Sequence, residues 1–490
     1  MLLPKPNSPA TPTNAGDRVP FLQKVAIGVG EMASIGRQST DQLALPVYNI
    51  MLGVNPLLVT MVASGVRFLD AVTDPLAGSL SDNSRSRFGR RKPFLLVASV
   101  ACALALPLVW WVPSELSENG YFLYFLVTLM AFYAAYSFFD VPLIGLALEA
   151  TPDYHERTRV AAYKAFFSHG TSILAAWLFA LTQAKVFHSS LHGVRVVGIV
   201  MGVAMLVIGL VPVLFVREGY RKISVQKKGL PFLRGLRETF VNRSFLLLCV
   251  IATGNKLSGH LVQSLGLYLM IYHVYGGDTK QAALLAGIWG TVTHAMTMVS
   301  IPLATWLATH WGKLAALRVC LWTLILGSLS KWFTFAPGLP YLTLITAVML
   351  APGQVAFSIV LRSMIGDVCD EDELRTGLRR EGMYGSMFRW IEKAMGSLAI
   401  MITGMVLFAA GFHSGEAHQA SGTVLTLRVA YVFIPIVAVA FALVAVHYFP
   451  ITPGRAAEVR RELELRRGNP HAGQPASDSA SAPIPPLPAH

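Results

Sequence analysis

Twelve long apolar runs dominate the chain, at about 22–52, 57–81, 93–113, 120–148, 161–187, 194–216, 244–272, 281–308, 314–335, 340–366, 382–411 and 424–449. A helix needs about 20 predominantly apolar residues to cross the hydrocarbon core of a bilayer. With the polar ends set aside, about 430 residues remain, roughly 36 per run, enough for one crossing and one connection. Only 14% of the residues are charged, against about 25% in soluble domains, too few to cover a soluble fold of this size. A soluble enzyme is excluded, and the expected fold class is an all-α integral membrane protein.

The connections between runs sort by charge. One set carries Arg85, Arg87, Arg90, Arg91 and Lys92, then Arg157 and Arg159, a basic stretch from Arg221 to Arg243, Lys313, and finally Arg375, Arg379 and Arg380. The alternate set, Gly53 to Asn55, Ser114 to Asn119, Gly276 to Asp278 and Pro337 to Pro340, is nearly bare of basic residues. Basic connections stay in the cytoplasm, so a multi-pass plasma (inner) membrane protein with both termini cytoplasmic is expected. Its order is a polar start (1–21), a six-helix bundle (22–216), a cytoplasmic middle loop (217–243), a second six-helix bundle (244–450) and a cytoplasmic disordered tail (451–490). The same bias accounts for the net charge of +13 without a nucleic-acid partner. Cys102, Cys249, Cys320 and Cys369 are scattered without metal-ligand spacing, so neither a zinc site nor a disulfide follows. The start lacks a cleavable apolar core, and the first spanning helix is expected to serve as an uncleaved signal.

Ionisable side chains inside spanning helices cost about 2.5–3.5 kcal/mol each, so they are expected to face a cavity or a partner. Arg67, Asp70 and Asp74 follow at intervals of three and four residues, on one helix face. Two carboxylates one turn apart repel unless a cation or a proton sits between them, which makes this a candidate cation site. The bland alternative is that Arg67 neutralises Asp70 and Asp74 caps a helix end. Tyr136, Ser137 and Asp140 precede Pro142, which frees a backbone carbonyl, and the place suits a polyhydroxyl ligand or a cation. Its alternative is a kinked helix with Asp140 paired to Lys164. Glu31, Arg37 and Asp41 either pair among themselves or meet a ligand. In the second half Lys256 and His260 lie one turn apart, and Glu392 can pair with Arg389 beside Lys393. Lys331 and Arg362 sit near helix ends, where snorkelling to the interface is expected. Trp110, Trp111 and Trp332 read as interface or packing residues.

The run from Asp70 through Asp74, Pro75, Gly78, Asp82, Arg85, Gly89, Arg90 and Arg91 to Pro93 resembles the signature of the glycoside–pentoside–hexuronide:cation symporters, a melibiose-carrier-like branch of the major facilitator superfamily. Asp140-Val-Pro142 with Glu149, Glu156, Arg157 and Arg159 looks like that family's fourth helix and following loop. Gly366, Asp367, Asp370, Arg375, Gly377, Arg380, Glu381 and Lys393 look like its connection from helix ten to eleven. The resemblance covers about residues 22–450. It implies the major facilitator fold and alternating-access symport of a sugar or glycoside-like solute with Na⁺ or H⁺, by a monomer bathed by membrane lipid and without other cofactors.

Carried over by position, the resemblance makes Asp70, Asp74 and Ser137 cation ligands, and carboxylate and hydroxyl oxygens do suit a hard cation. It makes Asp140 a sugar-binding acid, with Tyr136, Lys164, Glu31, Asp41 and Lys393 expected beside the solute. Arg67, Gly78, Asp82, Arg85, Gly89, Arg90, Arg91, Asp367, Asp370 and Arg380 are expected to work the conformational change. The chain departs from the melibiose-type pattern where an aromatic is replaced by Ile144, another by Ser358, and an acid falls near Ile35. Related branches carry lysolipids with sodium, so an amphiphile is the alternative solute. A membrane sensor without transport is the rival from another class; no nucleophile–base spacing supports an integral enzyme.

Overall fold

The computed structural model describes residues 18–84, 86, 88–113, 115–151, 154–217, 239–378, 380–414, 416 and 418–468. Arg85, most of the middle loop and the end of the tail lie outside the described residues. The first half contains α1 (Phe21–Glu31), α2 (Ser34–Ala44), a π-helical stretch (Leu45–Met51), α3 (Pro56–Asn83), α4 (Lys92–Trp110), α5 (Glu118–Glu149), α6 (Tyr154–Ala176), the short α7 (Leu178–Thr182) and α8 (Ser190–Phe215). The second half contains α9 (Arg243–Leu269), continued by a π-helical stretch (Met270–Val274), then α10 (Thr279–His310), α11 (Lys313–Thr334), α12 (Thr343–Thr376), α13 (Glu381–Ala409), α14 (Ser421–His447) and α15 (Pro453–Gly468).

Among the described residues, eleven helices are long and apolar enough to cross a membrane. The segment expected as the first of twelve, 22–52, is instead broken into α1, α2 and the π stretch by a turn at Met32 and Ala33. The three pieces are 11, 11 and 7 residues long, each too short by itself to span a bilayer. A second correction concerns the tail. Residues 453–468 form α15 rather than a disordered strand of chain, with Val459 and Leu463 buried and Arg460 paired to Asp367 of α12 at 2.7 Å.

Short polar residues start the helices where the apolar runs begin. Asn55, Ser117, Ser189 and Asn242 each accept a backbone N–H of the following turn, at 2.9, 3.2, 3.1 and 3.1 Å, and Asp278 accepts two at 3.0 Å. Such caps satisfy donors that a helix leaves open. Gly377 ends α12 at φ +69°, a conformation that suits glycine.

Within each half the helices pack through small residues, as helices in lipid do when backbones must approach closely. On α8, Gly198 lies against Trp110, and a Cβ at Gly202 would come within 2.6 Å of Pro107 on α4. The two halves also repeat a device. Arg195 on α8 donates to the carbonyl of Val112, just past the end of α4, at 2.7 Å. Arg428 on α14 donates to the carbonyl of Trp332, in the last turn of α11, at 3.0 Å with its guanidinium over the Trp332 ring. In each half the last spanning helix, α8 or α14, thereby supplies a cation and donor to the open carbonyl end of α4 or α11.

Lys331 corrects another expectation. It does not snorkel; it is 1% exposed in the core of the second half. Its ammonium donates to the backbone carbonyl of Tyr431 at 3.3 Å and lies 4.5 Å from the centre of that ring. Pro435, one turn on in α14, has no N–H to offer that carbonyl, so the lysine takes its place.

The halves meet through α3 with α13 and α6 with α10. Gly404 of α13 sits on Thr60 of α3, Gly290 of α10 on Ala176, and Gly287 under the Trp177 ring. Trp177 Nε1 donates to Thr291 at 2.8 Å, and the Tyr268 hydroxyl donates to Asn49 at 2.7 Å, beside both π stretches. These contacts lie on the side of the connections at 53–55, 275–278 and 411–420, away from the described ends of the chain.

Candidate transport site

The charged face of α3 lies where the two bundles meet. Arg67 is buried and ion-paired to Asp41 of α2, not to Asp70. Its Nε donates to the Tyr133 hydroxyl at 3.3 Å, and that hydroxyl shares a hydrogen bond with Thr40 at 3.0 Å. Asp70 is 7% exposed, and its Oδ1 has no hydrogen-bond partner among the described residues. Lys393 reaches from α13 to Asp74, a close ion pair, and stands 3.6 Å from Asp70. The sequence places Lys393 beside the solute; the structure places it between the two carboxylates.

Ser137 bonds Thr73 at 2.9 Å, one residue before Asp74. Thr73 escaped the sequence analysis, although its spacing of three from Asp70 put it on the right face. The four groups thus present carboxylate and hydroxyl oxygens, one of them an open buried carboxylate oxygen. This donor set fits a hard monovalent cation or a proton.

Deeper in the first bundle, Glu31 pairs with Lys164 at 3.0 Å. Arg37 stands beside Tyr136 and in the field of Asp140, and the Tyr136 hydroxyl donates to Asp140 at 3.5 Å. Lys164 therefore has Glu31 rather than Asp140 as its ion-pair partner, and Asp41 pairs across to α3 rather than with Arg37. From the second bundle, Lys256 pairs with Glu392 at 3.2 Å, a partner that spacing alone had given to Arg389. Thr40, Asp41, Thr60, His260, Gln263 and Ser264 surround a cavity of about 20 Å³ between the bundles, room for one water-sized occupant.

Of the residues expected to work the conformational change, Asp82, Arg90, Arg91, Asp367 and Arg380 form ion pairs toward the other ends of the helices. Arg91, buried over Gly145, bonds Asp82 at 2.8 Å and Glu149 at 2.9 Å, and Arg90 bonds Glu149 at 2.5 Å. Gly89 turns the loop at φ +106°, and Gly78 faces Val141 of α5. In the second bundle Arg380 grips the buried Asp372 through two bonds of 2.8 and 2.7 Å. Asp367 takes Lys313 at 2.5 Å and Arg460 at 2.7 Å, with Asp370 one turn along α12. Each of these pairs lies within one bundle. Glu149 and Asp372 are central acids that the sequence analysis had not assigned.

Two helical bundles with charged residues along their seam define a multi-spanning carrier of the major facilitator type. The chain belongs to the family described as MFS/sugar transport protein, which matches residues 27–453. It is 24% identical to an uncharacterized symporter of Synechocystis sp., over 93% of this chain and 99% of that one. A glucuronide carrier protein homolog of Escherichia coli is 23% identical over 86% of this chain and 91% of its own. A sphingosine-1-phosphate transporter of Mus musculus is 25% identical over 92% and 93%. The fold is similar to that of a bacterial homolog of the human lysosomal transporter Spinster in an inward-facing, unoccupied conformation, with a TM-score of 0.67 at 16% identity over 88% and 98% of the two chains. The protein is a multi-pass, secondary active, alternating-access transporter of a small organic solute, and not a catalytic enzyme.

Proposed function

We propose that the protein is a cation-coupled symporter in which Na⁺ or H⁺ binds among Asp70, Thr73, Asp74 and Ser137. The observation that carries this reading is Lys393. A positive group from one bundle rests between two carboxylates of the other, in the position that a coupling cation would take. Cation binding displaces the lysine and changes what holds the bundles together, which is the differential contact that coupling requires. The solute occupies the neighbouring cluster of Asp140, Tyr136, Arg37, Glu31 and Lys164.

For the solute, an amphiphile with a polar head is favoured over a plain sugar. Ile144 offers no aromatic platform near Asp140, and the cluster is built of charged pairs that suit a charged head group. Relatives that match this chain over nine-tenths of its length include a sphingosine-1-phosphate transporter. The sugar reading is supported by the glucuronide carrier homolog and by an isoprimeverose transporter of Lactiplantibacillus pentosus that is 24% identical. In proteoliposomes with Na⁺ or pH gradients imposed in turn, uptake of a lysolipid but of no disaccharide supports the first reading. The reverse result supports the second, and uptake that no gradient drives overturns the coupling.

A further inference from the structure

We propose that His169 and His294 form a transition-metal site that joins the two bundles. His169 lies on α6 and His294 on α10, and their ring centres are 6.3 Å apart with planes inclined by 52°. Both rings are half-buried, and neither has a hydrogen bond or ion pair among the described residues.

A neutral imidazole keeps one ring nitrogen as a lone-pair donor. A metal about 2.0–2.1 Å from one nitrogen of each ring leaves the ring centres about 6.4 Å apart when the two ligands lie on opposite sides of the metal, as square-planar Cu²⁺ or Ni²⁺ allows, and about 5.2 Å apart in a tetrahedral site. The observed 6.3 Å fits the first, and a tetrahedral metal draws the rings about 1 Å closer. Imidazole suits Zn²⁺, Ni²⁺ and Cu²⁺. Among the described residues no group of three or more His, Cys, Asp or Glu side chains gathers, so water completes the coordination and the affinity is modest.

The location gives the site its consequence. His294 follows Gly290 and Thr291 by one turn on α10, and His169 precedes Ala176 and Trp177 by two turns on α6. The pair therefore marks the end of the packed seam between these helices. A metal there takes one ligand from each bundle and holds them in the closed-seam arrangement, so it acts as an inhibitor of the transport cycle.

A second pair, His188 and His192, lies 5.7 Å apart at the exposed start of α8. It can take the same metals without linking the bundles. The test therefore uses the full chain in detergent with His188→Ala and His192→Ala in place, heated with and without NiCl₂ or ZnCl₂. Metal is expected to raise the melting temperature by several degrees, through binding to the folded state. His169→Gln or His294→Gln should each remove the shift, while His294→Cys should restore it for zinc, because a thiolate replaces the lost ligand. Melting without metal shows whether each variant folds. Spin labels at Ser79 and Gly382, on α3 and α13, should show a narrower distance distribution with metal in the parent. A shift that survives both glutamine variants, or a distribution that metal leaves unchanged, overturns the proposal.

Discussion

The ammonium of Lys331 donates at 3.3 Å to the carbonyl of Tyr431, the carbonyl that Pro435 leaves without a helical partner. A buried acceptor left without its donor costs about 1–3 kcal/mol. Lys331→Met is therefore expected to lower the melting temperature. In a Pro435→Ala background the alanine N–H returns to the carbonyl, and the same substitution should cost less. Thermal unfolding of the four proteins forms a double-mutant cycle; equal losses in both backgrounds would show that this bond is not what the lysine supplies.

Asp70→Asn and Asp74→Asn are each expected to reduce gradient-driven accumulation by at least tenfold while the protein still inserts and folds. Na⁺ and H⁺ should compete in the parent, seen as a Na⁺ dependence that weakens as pH falls. Accumulation across pH in Asp74→Cys checks this, and accumulation that stays equally cation-driven moves the coupling site elsewhere.

Asp140→Asn is expected to abolish solute binding and to spare cation binding, since Asp140 has Tyr136 and Arg37 beside it, whereas Lys393 contacts Asp70 and Asp74. Calorimetry with each ligand in turn measures both. Loss of cation binding with solute binding kept would reverse the two assignments.

Gly404 rests on Thr60, and Gly290 on Ala176, with no room for a side chain. Gly404→Leu and Gly290→Val should therefore prevent the seam from closing. A cysteine placed at Thr60 or Ala176 should then react with a membrane-impermeant thiol reagent added from outside, at a rate at least tenfold above that in the parent background.

All four native cysteines are buried, which suits topology mapping with introduced ones. Cysteines at His418 and Glu464, both exposed, should label from outside and only after permeabilisation, respectively. The opposite result would invert the orientation expected from the basic connections.

Apolar length was a sufficient guide to eleven of the crossings, because a bilayer demands about 20 apolar residues whatever the fold. It misled at the first segment, where the turn at Met32 and Ala33 has neither proline nor glycine to announce it. It also hid α15, whose helix exists through Val459, Leu463 and Arg460 docking on the bundle rather than through a long apolar face. At the site, helical spacing brought Asp70 and Asp74 together correctly, since that relation is local. Partners from other helices were not legible: Asp41 for Arg67, Glu31 for Lys164, and Lys393 for the two acids. Lys331 was misjudged for the same reason, as distance along a helix says nothing of depth inside a bundle.

The cation that rests between Asp70 and Asp74 is part of the chain and cannot be discharged into either compartment. One lysine against two carboxylates leaves the empty site with a net charge of about −1 when both acids are ionised, and a monovalent cation bound there would bring it to neutrality. One elementary charge crossing the full potential gains about 2.3 kcal/mol per 100 mV. The empty return is thus the step expected to sense voltage, and hyperpolarisation should speed it while leaving the loaded half-cycle nearly untouched.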